Sequence, residues 1–527
     1  MSNPGPTTSL YINNAVNNIV SGAPVSIDTL RTVLKAIEIP AEVMAFRNPK
    51  LASACIRLLQ EKSERYSLLD DEFSVLCLKI IIACIQVATL VICQTIYTSP
   101  VDLPLSQPDP HFRLAELAVT SLSDRFKAAM ASNSDPALDP FITATDSVTL
   151  IKLLSGTRNR FLFNRCAHPK LWVGWSFLMF PTWTHLVCGH ISAQTTIASM
   201  VGDLACRFSA GEFAYNDEKF IIEFMAESCY TRYKKITGKT SGYHLKQINK
   251  QDLELAITAA ASRLSAGSLP LKLSYDLFLW ASSHPDTSQP NTMVQLLKAS
   301  ISRLWRALDP AEDNRPLTYW RLREVAQLSE EIIQYIMSTV PVRLEVVTAH
   351  TAIPALLTAA LDSSVFGLLA RVLMFPLPCK YGSLKPAEQS SLDDIFDNQL
   401  NTIGEFGNFM SRFNSLGAKT LKDSYADWLK AARHFDEHCH VYDGGRFART
   451  HISRCQAVWM KLGSSLVSGR VEDRSKPCSY SRCPYPTPLG GASFSCRGCQ
   501  AAVYCSLHCQ NSHRFRILPD GSRADAC

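Results

Sequence analysis

The chain has 527 residues, a mean hydropathy of +0.01 and a net charge of +6 from 53 basic and 47 acidic side chains. Apolar residues make up 46% of the chain and charged residues 19%, which excludes a collagen-like or wholly disordered protein. This length predicts two to four packed units, and the small net charge does not favour a nucleic-acid partner.

The N-terminal stretch predicts both compartment and flexibility. It has neither a positive n-region nor an apolar h-region, so no secretory signal is expected. Asn, Ser and Pro dominate Ser2 to Ala23, which predicts a flexible tail over 1–25. A chain without a signal is expected in a reducing compartment, nuclear or cytoplasmic and not secreted. There, clustered cysteines indicate metal and scattered cysteines indicate core packing.

Helical periodicity extends from residue 26 to about 463. Ser26 is a candidate N-cap for a helix whose apolar residues recur three and four positions apart. The same spacing predicts a helix that ends at Asp309-Pro310 and another that Pro341 stops. Further helices are predicted at 49–62, 110–131, 214–235, 249–264, 342–361 and 420–436.

Two apolar stretches test the prediction of a protein without membrane spans. Ile80 to Cys93 is almost wholly apolar but only about 14 residues long, whereas a span needs about 20, so a buried core helix is predicted. Leu171 to Cys188 carries three tryptophans and is interrupted by Gly174 and Pro181. It too is predicted to be core.

The fold prediction is therefore all-α, because no sustained alternation or hairpin signal is present. A helical domain over 26–463 is expected, either an irregular array of HEAT or armadillo type or one large helical domain, since no fixed repeat is visible. Loops are predicted at 99–109, 133–141, 284–291 and 376–394, and a linker over 464–477.

The last 50 residues contain seven of the 18 cysteines. Pairs of cysteines separated by two to four residues can turn back toward one tetrahedral zinc, and a segment with so few aliphatic residues is expected to need metal to fold. Three pairs, a histidine and a final cysteine supply eight ligands, enough for two zinc ions. The candidate ligands are Cys478, Cys483, Cys496, Cys499, Cys505, Cys509, His513 and Cys527.

The centre of this cluster resembles a MYND-type zinc finger. Cys496 to Gln510 reads CRGCQAAVYCSLHCQ, with Tyr504, Ser506 and Gln510 in the family's register with the cysteines. The resemblance covers about the last tenth of the chain, 478–527. It implies a protein-interaction module that often grips short proline-containing peptides.

The resemblance also implies a cross-braced pair of zinc sites. Cys478, Cys483, Cys505 and Cys509 would hold one ion, and Cys496, Cys499, a histidine and Cys527 the other. The family's Trp and His positions are Arg514 and Ile517 here, which leaves His513 as the nearest substitute ligand and His508 as a poorer one. Cys478-x4-Cys483 is wider than the family's usual gap.

Other motifs favour structural interpretations. The sequence from Thr237 to Thr240 is similar to the end of a phosphate-binding loop, but Tyr233 occupies a position where that motif requires a glycine. The basic, tyrosine-containing stretch from Tyr230 to Lys250 would suit nucleic acid or an acidic partner, and more often is a solvated connection. Asp436 to His440 is interpreted as a solvated helix end, because on a helix only His434 and His438 share a face.

The sequence predicts an interaction protein rather than an enzyme. No Gly-x-Ser-x-Gly, His-Glu-x-x-His, dinucleotide or kinase signature is present, nor the Asn-His-x-Cys element of a SET methyltransferase. We expect a zinc-binding adaptor with protein partners, no nucleic acid and no membrane. The alternatives are an enzyme whose active site lies in the helical domain, or a transcriptional regulator that contacts DNA.

Overall fold

The structure is a computed structural model, and its described residues fall into helical stretches and a few positions near the C-terminus. They are 6–63, 67–93, 109–132, 139–167, 173–192, 196–211, 216–237, 249–267, 269–282, 290–309, 318–339, 349–376, 384–411, 428, 431, 432, 435, 445–464, 494, 495, 503, 504 and 510. The chain divides into two compact units, Met1–Ala259 and Ala260–Cys527.

The described part of unit 1 is helical, and apolar side chains form one continuous core through it. Its helices are α1 Pro6–Ser21, α2 Ile27–Lys35, α3 Pro49–Ser63, α4 Glu72–Ile92, α5 Pro110–Ala131, α6 Ala144–Gly156, α7 Arg158–Ala167, α8 Phe180–Val187, α9 Thr196–Ala210, α10 Asn216–Thr237 and α11 Lys250–Ala266. Short 3-10 helices occupy Ala36–Glu38, Val43–Arg47 and Trp175–Met179. The boundary with unit 2 falls within α11.

Unit 2 is helical over most of its described residues, which also include a small hairpin near the C-terminus. Its helices are α12 Leu271–Ser282, α13 Pro290–Leu308, α14 Tyr319–Thr339, α15 Ala349–Asp362, α16 Val365–Met374, α17 Pro386–Ser411 and α18 Gly445–Ser464. Helix α17 packs against both α14 and α18, and α13 packs against α15. Strands β1 Phe494–Ser495 and β2 Val503–Tyr504 form a two-stranded antiparallel sheet.

Several predicted helices are confirmed, with their caps. The Ser26 hydroxyl accepts a hydrogen bond from the Thr29 amide at 3.1 Å and so begins α2. Helix α5 spans the predicted 110–131, with Pro110 in its first turn after the Asp109 cap. Helix α13 ends at Leu308, directly before Asp309-Pro310. The all-α prediction therefore holds for the described residues of both units up to Ser464.

Helix α4 is a core helix of unit 1, although it is longer than the apolar run predicted. It begins at the Asp71 cap and spans 21 residues, 15 of them buried, against α2, α3 and α5. By length and composition alone it could cross a membrane, as could the pair Ala355–Asp362 and Val365–Met374 if that bent pair is one span. However, 72% of its most apolar window is buried inside the protein.

The second apolar stretch is also core from Gly174 to Leu186. After Gly174, Trp175–Met179 form a 3-10 helix that leads directly into α8, and all five residues are buried. Pro181 does not interrupt the helix, because it lies in the first turn, where no backbone donor is needed. Trp183 stacks on Phe180 with ring centroids 5.7 Å apart.

The N-terminal prediction was wrong for most of its length. A flexible tail was expected over 1–25, but Pro6–Ser21 form α1, which packs against α2 and α3. Ile12, Ala15, Val16 and Ile19 are buried, a spacing of three and four residues along one face. The asparagines between them lie on the opposite face, so polar composition concealed an amphipathic helix.

Two boundary predictions also differ from the structure. One helical domain over 26–463 was expected, whereas the chain forms two units that divide at Ala259. The division was not predicted because helical periodicity continues unbroken through α11. The loop predicted over 376–394 gives way to α17 at Pro386. A proline fits the first turn of a helix and therefore starts this one rather than breaking it. The predicted linker over 464–477 lies outside the described residues beyond Ser464.

Candidate functional site

The eight predicted zinc ligands lie outside the described residues. They are Cys478, Cys483, Cys496, Cys499, Cys505, Cys509, His513 and Cys527. The described positions within that segment are the two strands and Gln510, which is helical and half-buried. The structure thus describes the backbone hairpin in the middle of the cysteine cluster and one residue after it.

The hairpin has a defined register. Phe494 pairs with Tyr504, and Ser495 pairs with Val503, in antiparallel orientation. Tyr504 is 1% exposed and is among the largest fully buried side chains described. Because an isolated two-stranded hairpin is marginal in water, a buried tyrosine on its second strand indicates that further chain packs over it.

The scattered cysteines are mostly core residues, as predicted. Six described thiols are buried: Cys55, Cys77, Cys84, Cys206, Cys229 and Cys455. A hydrogen bond with Cys77 and burial raise the pKa of Cys55, and burial raises the pKa of Cys84 far above its usual value. Such thiols stay protonated, which makes them poor nucleophiles and poor metal ligands.

Within the described residues, no group of three or more His, Cys, Asp or Glu side chains could hold a metal ion. The stretch Asp436–His440 lies outside those residues, so its interpretation as a solvated helix end stays a prediction. The phosphate-loop-like sequence is described only at Thr237, where α10 ends. Of the basic stretch, Arg232, Lys234 and Lys235 belong to α10, and Lys250 begins α11.

A buried ionic cluster in unit 1 has no counterpart in the sequence predictions. The fully buried Arg207 donates to Asp203 at 2.8 Å and to both carboxylate oxygens of Asp252, at 2.6 and 2.9 Å. Arg158 lies 3.3 Å from the same Asp203 oxygen. Two cations and two carboxylates balance each other and join α7, α9 and α11. The four-residue spacing of Asp203 and Arg207 was visible in the sequence, but Asp252 is 45 residues away.

A contact between two histidines at the end of α8, His185 and His190, was likewise not predicted from the sequence. Gly189, with φ of 77°, closes the helix by a Schellman turn, in which the His190 amide donates to the His185 carbonyl at 2.9 Å. The turn brings the two rings together, with 3.1 Å between their Nδ1 atoms. The sequence signal was a glycine four residues after a helical histidine, which does not by itself indicate a contact.

Comparisons with known proteins identify no family for the chain. It matches no model of a known protein family and no curated protein. One solved structure is similar, described as a "Circular tandem repeat protein with novel repeat topology and enhanced subunit contact surfaces". The likeness covers 87% of this chain and 96% of that one at 13% identity, with a TM-score of 0.22. A likeness this distant assigns neither fold nor function.

Proposed function

We propose that the chain is a zinc-binding adaptor protein, in which residues 478–527 form a MYND-like finger that recruits partner peptides. The helical units would supply further surface for other proteins. The observation that carries the proposal is the hairpin, whose strands alternate with the cysteine pairs. Cys496 directly follows β1, Cys499 lies in the seven-residue connection, and Cys505 directly follows β2.

The register of the hairpin supports two separate zinc sites. In an antiparallel pair with Ser495 opposite Val503, the position after β1 is at the loop end and the position after β2 is at the open end. Extending each strand by one residue would separate Cys496 from Cys505 by three residue steps, about 10 Å. Two sulfurs on one zinc each lie about 2.3 Å from the metal, so these two cysteines would belong to different ions.

Ligands of this kind favour a structural rather than a catalytic metal. Four protein ligands fill a tetrahedral zinc and leave no position for water or substrate. The metal would supply the folding free energy that the segment's few aliphatic side chains cannot. We therefore propose that the protein is not an enzyme. We also propose that it is located in the nucleus or cytoplasm, where thiols stay reduced.

The partner surface is proposed from residues that surround the hairpin. Tyr504 is buried and Gln510 is half-buried, so part of Gln510 stays accessible to a partner peptide. The family's Trp position is Arg514 here. We therefore propose a modified groove, in which a proline-containing peptide meets a cation rather than an indole.

Zinc content of the full-length protein tests the metal assignment. We expect two zinc ions per chain in the wild type and a loss of one in Cys499→Ser, because one thiolate of a four-ligand site is removed. Cys188→Ser is the matched control, since Cys188 is an exposed thiol outside the cluster, and should keep both ions. Less than one zinc per wild-type chain, or equal loss in the two variants, would contradict the proposal.

A further inference from the structure

Unit 1 contains an open groove that the proposed finger does not involve. The groove has a volume of about 630 Å³ and lies where α1, α3, the segment before α6 and the end of α8 meet. This volume is within the range of small-molecule sites, which is roughly 300–1,000 Å³. Its floor is mainly apolar, formed by Val20, Pro49, Pro140, Phe141 and Ile142.

The rim of the groove is cationic. Lys50, Ser53 and Arg57 follow one another at three- and four-residue spacing and so share one face of α3. The Lys50 ammonium and the Arg57 guanidinium form no ion pair within the described residues. None of the described residues that line the groove carries a carboxylate. The nearby Asp146 already accepts a hydrogen bond from Ser53 Oγ at 2.6 Å.

The histidine pair adds a third polar group with a fixed orientation. His185 Nε2 lies 2.7 Å from the carbonyl oxygen of Ile142, which can only accept, so this nitrogen carries a proton. Burial lowers the pKa of His185, which favours the neutral ring and leaves its Nδ1 as an acceptor. His190 Nδ1 must then donate across the 3.1 Å contact. The other nitrogen of His190, Nε2, is then an acceptor, so it can take a hydrogen bond from a ligand hydroxyl but cannot donate one to an anion.

We propose that this groove binds a small organic anion that has an apolar body and one carboxylate or phosphate group. The apolar body lies on Phe141 and Ile142, and the anionic group lies between Lys50 and Arg57. An unpaired cation beside an apolar floor gains most from such a ligand, since a charge-assisted hydrogen bond adds to the burial of apolar surface. The site is independent of the zinc finger, so either proposal can fail without the other.

Calorimetric titration of the full-length protein with naphthoate and its neutral isostere naphthamide tests the proposal. The two probes share an apolar body, so we expect naphthoate to bind about tenfold more tightly. Inorganic phosphate alone should bind more weakly than naphthoate, because it lacks the apolar body. Equal affinity for naphthoate and naphthamide, or no heat from naphthoate, would overturn the proposal.

Variants locate the binding. Arg57→Gln should weaken naphthoate binding about fivefold to tenfold and leave naphthamide binding unchanged. Lys298→Gln removes the same charge from an exposed position in unit 2 and should change neither. Arg57 is exposed on α3, so the variant should unfold at the wild-type temperature without ligand. Equal effects of the two variants, or binding of hexaglutamate without binding of naphthoate, would overturn the small-anion proposal, the latter in favour of a protein partner.

Discussion

Helix α4 and the C-terminal cysteine segment differ most in how they can be stabilised. The helix carries eleven Val, Leu or Ile side chains in 21 residues, whereas residues 478–527 carry five in 50. Burial of apolar surface is the dominant favourable term in folding, so α4 can be held by its neighbours alone. The cysteine segment has seven thiols in place of that apolar surface, and we propose that ligand bonds to a metal stabilise it instead.

The cysteines of this chain fall into two groups. In the helical units thiols act as small apolar side chains, and burial keeps them protonated. In the C-terminal segment the same residue type is proposed to act as a thiolate. Spacing distinguishes the two uses, because helical thiols follow the core periodicity and the proposed ligands come in close pairs.

The largest expected effect on the helical units comes from the buried ionic cluster. Arg207→Met should destabilise unit 1 by about 3–5 kcal/mol, because it leaves Asp252 and Asp203 buried without their main cation. Urea denaturation followed by circular dichroism measures the change. Arg31→Met is the control, since Arg31 pairs with Glu72 at the surface, and should cost no more than about 1 kcal/mol. Equal costs would show that the cluster is not important to the fold.

A smaller change in the free energy of unfolding, a gain rather than a loss, is expected when Glu331 in unit 2 is replaced. Burial and the charge of Glu330 raise the pKa of Glu331 to about 7. The folded state therefore binds a proton that the unfolded state releases, so the contribution of Glu331 to stability is full below about pH 4.5 and is lost as pH rises to about 7. Glu331→Gln should add roughly 1–3 kcal/mol at pH 8 and nothing at pH 4.

The pH dependence of unfolding distinguishes this effect from a general one. The free energy of unfolding should fall between pH 4.5 and 7 more steeply in the wild type than in Glu331→Gln. Glu405→Gln removes an exposed carboxylate of α17 and should leave the wild-type slope. If Glu331→Gln also leaves the slope unchanged, the pKa of the Glu331 carboxyl is not raised as described.

The smallest effect on the helical units is expected from metal removal. A chelator that strips zinc should leave their thermal unfolding temperature and their circular dichroism at 222 nm unchanged, because burial holds their core. The same treatment should make the C-terminal segment sensitive to limited proteolysis. Zinc analysis before and after treatment provides the control. Loss of the helical signal on chelation would contradict the contrast between the two regions.

Local features of the helices could be predicted from the sequence, and distant ones could not. The limits of α5 and the end of α13 followed from apolar spacing and from prolines, which act within a few residues. Helix α1 was missed because its asparagines outweighed the spacing of Ile12, Val16 and Ile19. The division at Ala259 could not be seen, since no change in composition marks it.

The candidate sites show the same limit. Close cysteine pairs can be recognised because the ligands of one zinc are partly neighbours in sequence, and their assignment remains a prediction. The Arg207 cluster joins residues 45 positions apart. The groove collects side chains from four separate parts of unit 1. Neither arrangement has a local pattern, so only the folded chain reveals it.

X-ray absorption at the zinc edge of the full-length protein tests the central claim most directly. Seven thiolates and one imidazole shared by two ions predict on average about 3.5 sulfur ligands per zinc, at about 2.3 Å. His513→Gln should remove the nitrogen contribution and leave the sulfur shell of the first ion. A protein that retains two zinc ions with this sulfur shell supports the account. A protein without zinc, or with zinc bound mainly by oxygen or nitrogen, would contradict it.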